Sequence, residues 1–237
     1  MSLSNNKIGM MNESSLHREL KFRYAGPGGK TEAAVGEYVA DGINSEGEYI
    51  EVQTASFAPL QKKIKELTTL GKVRIIHPIA VRKTIEVYEP APKRSNKPYG
   101  AFLWRRKSPK KGSPWKIFDA LLHSPLLPLT KRLTIEIVLV DIIEKRIKDS
   151  KGGRRKNRNS IYDKELAAWH ESILFKKKAD YLKFIPFKKG EEFTSSLLSQ
   201  MADIDTDTSR KALYVLTKLN FVKRKGKQGN SWVYVRG

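Results

Sequence analysis

The sequence predicts an α/β chain, and three observations point there: helix-period and strand-period apolar patterns alternate over residues 11–92, a basic stretch rich in aromatic residues follows, and two short helices with a strand pair close the chain. Residues 13–24 read as a helix because Leu16, Leu20 and Tyr24 recur at four-residue spacing, and Gly26-Pro27-Gly28-Gly29 ends it. Two β-prone runs, 33–43 and 48–54, flank Asn44-Ser45-Glu46-Gly47, a hairpin signal. Residues 57–70 form a second helix, with Phe57, Leu60, Ile64 and Leu67 inward, Ser56 as N-cap, Pro59 in the first turn and Gly71 at the end. Strands over 72–80 and 83–88 complete this unit.

From residue 93 to 116 there are nine Lys/Arg and no acid, with Tyr99, Phe102, Trp104 and Trp115 interleaved. A short helix over 117–122, a strand over 133–143 and a helix over 163–175 with Leu166, Trp169 and Ile173 on one side make this middle region α+β. A charge burst, Lys151 to Arg158, falls between the last two as a loop. Helices over 194–202 and 208–219, a polar turn over 203–207, and strands over 221–224 and 232–235 around the loop 225–230 make up the C-terminal unit. The boundaries read as a disordered N-terminus over 1–10, a core over 11–92, a basic middle over 93–186 and a C-terminal domain over 187–237.

Among 237 residues, 46 Lys+Arg against 25 Asp+Glu give a net charge of +21, which attracts polyanions, nucleic acid first. The absence of cysteine excludes disulfides, thiolate metal sites and a thiol nucleophile. No apolar run approaches the ~18 residues of a membrane span, and no signal peptide is visible, so the expectation is a soluble, intracellular, cytoplasmic protein with no membrane partner. The histidines His17, His77, His123 and His170 are dispersed and read as structural.

The chemistry concentrates in the first hairpin. Period-2 alternation puts Glu51 and Gln53 on one face of their strand, and a turn centred on Glu46 sets Asp41 opposite Glu51 and Val39 opposite Gln53. Two adjoining carboxylates repel unless a cation lies between them, so a hard metal, Mg²⁺ or Mn²⁺, suits the pair. Glu13 stands at the start of the first helix, with Glu32 and Glu37 as substitutes near the hairpin.

A helix with an early Glu, a hairpin bearing Asp-x(9)-Glu-x-Gln, an amphipathic helix and a strand together resemble the restriction-endonuclease-like αβββαβ core of the PD-(D/E)XK nuclease superfamily over residues 11–89. The resemblance implies that Asp41 and Glu51, with the carbonyl of Val52, hold a metal that activates water toward a phosphodiester, with Glu13 assisting. Gln53 occupies the position that usually carries Lys and would orient the water. Ala40 stands where the motif's name has Pro. Lys62, Lys63 and Lys65 on the following helix are candidates for a relocated catalytic lysine. Residues 190–237 resemble a winged helix-turn-helix, which implies that Thr208, Ser209, Arg210 and Lys211 meet base edges while Lys223, Arg224, Lys225 and Lys227 meet phosphates. Together these imply a magnesium-dependent endonuclease acting on duplex DNA, as a homodimer if both strands are cut. The competing expectation is a catalytically inactive DNA-binding protein such as a transcriptional regulator. A third is an RNA binder whose aromatics over 99–115 stack unpaired bases.

Overall fold

The computed structural model describes residues 13–93, 98–148 and 159–237, and the fold is mixed α/β. Helix α1 (Ser15–Ala25) begins where Ser14 caps the backbone N–H of His17 and ends at Gly26, whose φ of 63° suits a residue without Cβ. Strands β1 (Lys30–Val35), β2 (Tyr38–Ile43) and β3 (Tyr49–Val52) follow as an antiparallel meander. The single run expected over 33–43 is thus two strands, because Gly36 at φ 58° permits a tight turn within it. A 3-10 turn (Ala58–Leu60) leads into α2 (Gln61–Leu70). Ser56 does not cap α2; its hydroxyl accepts from the N–H of Ala58 in the preceding turn.

Helix α2 carries the chain over to β4 (Val73–Tyr88), which runs parallel to β3. The two strands expected over 72–80 and 83–88 are one, with a bulge between Ala80 and Arg82. Strand β5 (Phe102–Lys107) lies inside the basic stretch and pairs with the far half of β4. After the short α3 (Ile117–Leu121), β6 (Leu133–Ile147) pairs with β4 in parallel and β7 (Ser160–Phe175) pairs with β6 antiparallel. The sheet order is β1-β2-β3-β4-β6-β7, with β5 beside β4.

Residues 163–175 are therefore strand, not the expected helix. Ala167 and His170 are extra residues with no partner on β6, since Leu166 pairs with Ile142, Ala168 with Asp141, Trp169 with Val140 and Glu171 with Leu139. Each bulge stretches the two-residue period to three, which imitates helical spacing.

Both faces of the sheet are covered. Leu16 and Leu20 of α1 pack on Ile50, Val52, Ile76, Val138 and Val140, whereas Ile64 and Leu67 of α2 join Ile75, Ile135 and Ile137 on the other face. Burial on both sides explains the near-continuous apolar run of β6.

The C-terminal part comprises α4 (Lys178–Leu182), β8 (Glu192–Thr194), α5 (Ser195–Met201), α6 (Thr206–Lys218), β9 (Val222–Gln228) and β10 (Ser231–Arg236), with sheet order β8-β10-β9. The loop expected over 225–230 is mostly strand, closed by a turn at Gly229-Asn230. Leu213 and Leu216 of α6 share an apolar core with Ile117 and Phe118 of α3, and Lys211 pairs with Asp119 at 3.0 Å. The charge burst from 151 to 158 and the N-terminal residues 1–10 lie outside the described residues. Among the described residues no helix is long and apolar enough to cross a membrane.

A buried ionic network ties α1 to the sheet. Arg74 reaches Glu48 at 2.8 Å and Glu136 at 2.9 Å, and the hydroxyl of Tyr24 donates to Glu136 at 2.5 Å. Both carboxylates are buried, so Arg74→Met strands two charges. The expected loss is about 3–5 kcal/mol in urea unfolding, seen as a lower midpoint with an unchanged slope.

Candidate active site

The hairpin that carries the site is set by its turn. Asn44 Oδ1 accepts from the N–H groups of Glu46 and Glu48 at 3.0 and 2.9 Å, and Gly47 takes φ 77°. The register that results pairs Gly42 with Ile50 and Ile43 with Tyr49, which brings Asp41 level with Glu51. The N–H of Asp41 points at Glu51 Oε1 at 3.4 Å, and Asp41 Oδ2 accepts from the N–H of Val52 at 2.8 Å.

The two carboxylates have unlike surroundings. Glu51 is 2% exposed, and burial, reinforced by the charge of Asp41, pushes its pKa up to about 7 despite the ammonium of Lys63. Burial also acts on Asp41, but the hydrogen bonds from His17 and Val52 and the charge of Lys63 outweigh it and hold this carboxyl below its ordinary range. Lys63 Nζ stands 2.6 Å from Glu51 Oε1 and 2.7 Å from Oε2. Lys62 and Lys65 are exposed, because at about 100° per residue both fall outside the arc of α2 that Lys63 shares with Ile64 and Leu67.

His17 Nε2 lies 3.1 Å from Asp41 Oδ2 and 3.7 Å from Glu13 Oε1, and Lys21 Nζ is 3.0 Å from the same Glu13 oxygen. Glu13, His17 and Lys21 thus form a line at i, i+4 and i+8 facing the hairpin. His17, expected as a structural residue, touches the candidate carboxylate Asp41, and neither it nor Lys21 was among the expected site residues. The four-residue spacing was the signal available. Lys21 also reaches Glu32 at 3.1 Å, while Glu37 sits at the exposed β1–β2 turn. Gln53 is turned aside: its amide nitrogen donates to the carbonyl of Ser56 at 2.7 Å.

Among the described residues no group of three or more His, Cys, Asp or Glu side chains is arranged to hold a metal. The pair Asp41 and Glu51 nonetheless has the donor chemistry for Mg²⁺, an ion that takes one or two carboxylates and keeps several waters. A carboxyl whose pKa is raised by burial and by a neighbouring charge is one that a second cation would relieve.

That raised pKa makes stability depend on pH. Between Glu51's ordinary 4.5 and about 7 the folded chain holds a proton that the unfolded chain releases. The contribution is therefore full below the unfolded value and is lost as pH rises through the folded one, by on the order of 2–3 kcal/mol. Urea unfolding at pH 5 and pH 8 should show this loss in the wild type and not in Glu51→Gln.

In the C-terminal part, three of the expected base-contacting groups are occupied. Ser209 is fully buried and its hydroxyl donates to the carbonyl of Ser195 at 2.7 Å, so it does not reach a groove. The Thr208 hydroxyl donates to the N-cap Asp205 at 2.7 Å. Lys211 is held by Asp207 at 2.7 Å and by Asp119. Arg210 is exposed, and with Tyr214, Arg224 and Trp232 it rims a cavity of about 250 Å³. Arg224 stacks 4.7 Å over the Trp232 ring and Lys227 lies 5.0 Å from it, while Lys223 is exposed and Lys225 pairs with Glu192. Tyr214, Lys218 and Trp232 belong to this face, although the sequence reading singled out only its cations.

The family described as "Domain of unknown function (DUF8091)" matches residues 14–176, which include α1, the hairpin, α2 and the whole large sheet. An uncharacterized protein of Treponema pallidum (strain Nichols) is 27% identical over 219 residues, covering 92% of this chain and 81% of the relative. No solved structure matches.

Proposed function

The chain belongs to this family of unknown function, and from its own site we propose that it is a metal-dependent endonuclease acting on DNA. The observation that carries the reading is the buried Glu51 beside Asp41, clamped by Lys63 from the next helix. The element order helix, three strands, helix, strand, with β3, α2 and β4 forming a parallel crossover, supports a restriction-endonuclease-like core. The β8-β10-β9 sheet with α5 and α6 supports a winged helix.

Asp41 and Glu51, with the Val52 carbonyl, would hold Mg²⁺ or Mn²⁺, which when bound polarises a phosphate and acidifies a water. Val52 N–H and His17 fix the orientation of Asp41. Lys63 opposes the burial that raises the pKa of Glu51 and presents the positive charge that a developing phosphorane requires, the place a Gln53 amide cannot fill. Glu13 acts at one remove, by holding Lys21 and facing His17. Duplex DNA is the partner proposed for the +21 chain, and cutting both strands with one site per chain would take two chains.

A labelled duplex incubated with Mg²⁺ tests the reading: cleavage by the wild type and none by Asp41→Ala supports it. A non-catalytic regulator is the second reading, favoured by the Gln53 amide being tied to Ser56, and it expects binding without cleavage under any divalent metal. For the C-terminal face, Arg210→Ala/Arg224→Ala/Lys227→Ala is expected to weaken duplex binding and lower the slope of log K against log salt by about 2–3. Fluorescence anisotropy over a salt series measures both; an unchanged slope would move the DNA contact elsewhere.

A further inference from the structure

A cavity of about 370 Å³ is walled by the Thr54–Ser56 loop that follows β3, by His77 and Ile79 of β4, by Lys110 and Lys111, and by the paired Lys116 and Asp119. Thr54 also walls a second cavity, of about 330 Å³, next to Glu13 and His17. Thr54 stands two residues past Val52, the last residue of β3, and three past Glu51.

The chemistry of the first cavity is that of a nucleotide site. Among the described residues no carboxylate is paired with the ammonium groups of Lys110 or Lys111, whereas the neighbouring Lys83 and Lys116 are held by Glu144 and Asp119. Apolar Ile79 and Pro78 supply flat surface. His77 is buried, its ring packs edge-on against Phe57 at 5.1 Å, and Nδ1 lies 2.5 Å from the carbonyl of Gln53. A carbonyl can only accept, so Nδ1 carries the proton and Nε2 is left as an acceptor beside the cavity.

We propose that this cavity receives one unpaired nucleotide of the substrate strand, its phosphate on Lys110 and Lys111 and its base or sugar against Ile79 and His77. The volume suits a ligand of that size, and a base still stacked in a duplex cannot enter it. The inference rests on the nuclease reading and narrows its substrate: DNA carrying an unpaired nucleotide next to the scissile phosphodiester, as in a flap or frayed end.

Calorimetric titration with thymidine 3′,5′-bisphosphate, without divalent metal, tests the pocket separately from catalysis. Saturable one-site binding is expected in the wild type and at least tenfold weaker in Lys110→Glu/Lys111→Glu, whose two sites are exposed. No saturable binding by the wild type, or equal affinity in the charge-reversed variant, overturns the pocket. On DNA, a single-stranded flap is expected to be cut at least tenfold faster than the intact duplex by the wild type, with that preference lost in Lys110→Glu/Lys111→Glu. Equal rates on both DNAs in the wild type overturn the substrate assignment. Absence of cleavage on every DNA overturns the nuclease reading, while the pocket is still decided by the titration.

Discussion

Asp41→Asn is expected to lower DNA cleavage by roughly 10³ while changing duplex affinity by less than twofold. The substitution preserves shape, and its remaining carbonyl oxygen still accepts from the N–H of Val52, so the hairpin keeps its register. What disappears is the negative charge. Asp41 is the member of the pair held in its ionised form, by His17, Val52 and Lys63, and it supplies the field in which a divalent cation would bind. The affinity is unaffected because the exposed cations Arg210, Arg224 and Lys227 lie on other elements. Single-turnover cleavage and anisotropy on the same duplex separate the two effects. A loss of affinity in step with rate would make Asp41 a binding residue instead.

Lys63→Met is expected to cost roughly 10²–10³ in rate, whereas Lys62→Met and Lys65→Met stay within about twofold. Of the three, Lys63 stands within 2.7 Å of Glu51, whereas Lys62 and Lys65 are solvent-exposed. Removing the ammonium also removes what opposes burial at Glu51, whose pKa is already about 7. The variant's rate should therefore recover as pH rises and more Glu51 ionises, so its pH–rate profile moves to higher pH than the wild type's. A uniform loss at all pH values would assign Lys63 to the phosphate alone.

The hairpin site was legible because strand geometry is short-range. A turn signal at Asn44–Gly47 and a two-residue period suffice to bring Asp41 level with Glu51. The choice among Lys62, Lys63 and Lys65 needed the angle at which α2 packs on the sheet. His17 and Lys21 were visible only as a four-residue spacing that is common to many helices. Strand β7 was misread because bulges at Ala167 and His170 imitate helical period, and bulges are decided by the partner strand. Ser209 lies four residues before Leu213 and seven before Leu216, so helical spacing alone puts it on the buried face of α6, whereas its hydroxyl's partner, the Ser195 carbonyl, depends on how α5 packs. The C-terminal order of helices and strands was readable, whereas the stacking of Arg224 and Lys227 on Trp232 depends on cross-strand register.

The most direct test of catalysis is incubation of supercoiled plasmid with the wild-type protein in Mg²⁺, in Mn²⁺ and in EDTA, with an Asp41→Ala preparation purified identically. Nicked or linear DNA that appears with either metal, disappears with EDTA and is absent from the variant is the predicted result. Intact plasmid under every metal, accompanied by a salt-sensitive gel shift, would contradict it and make the protein a DNA binder whose carboxylate pair serves the fold.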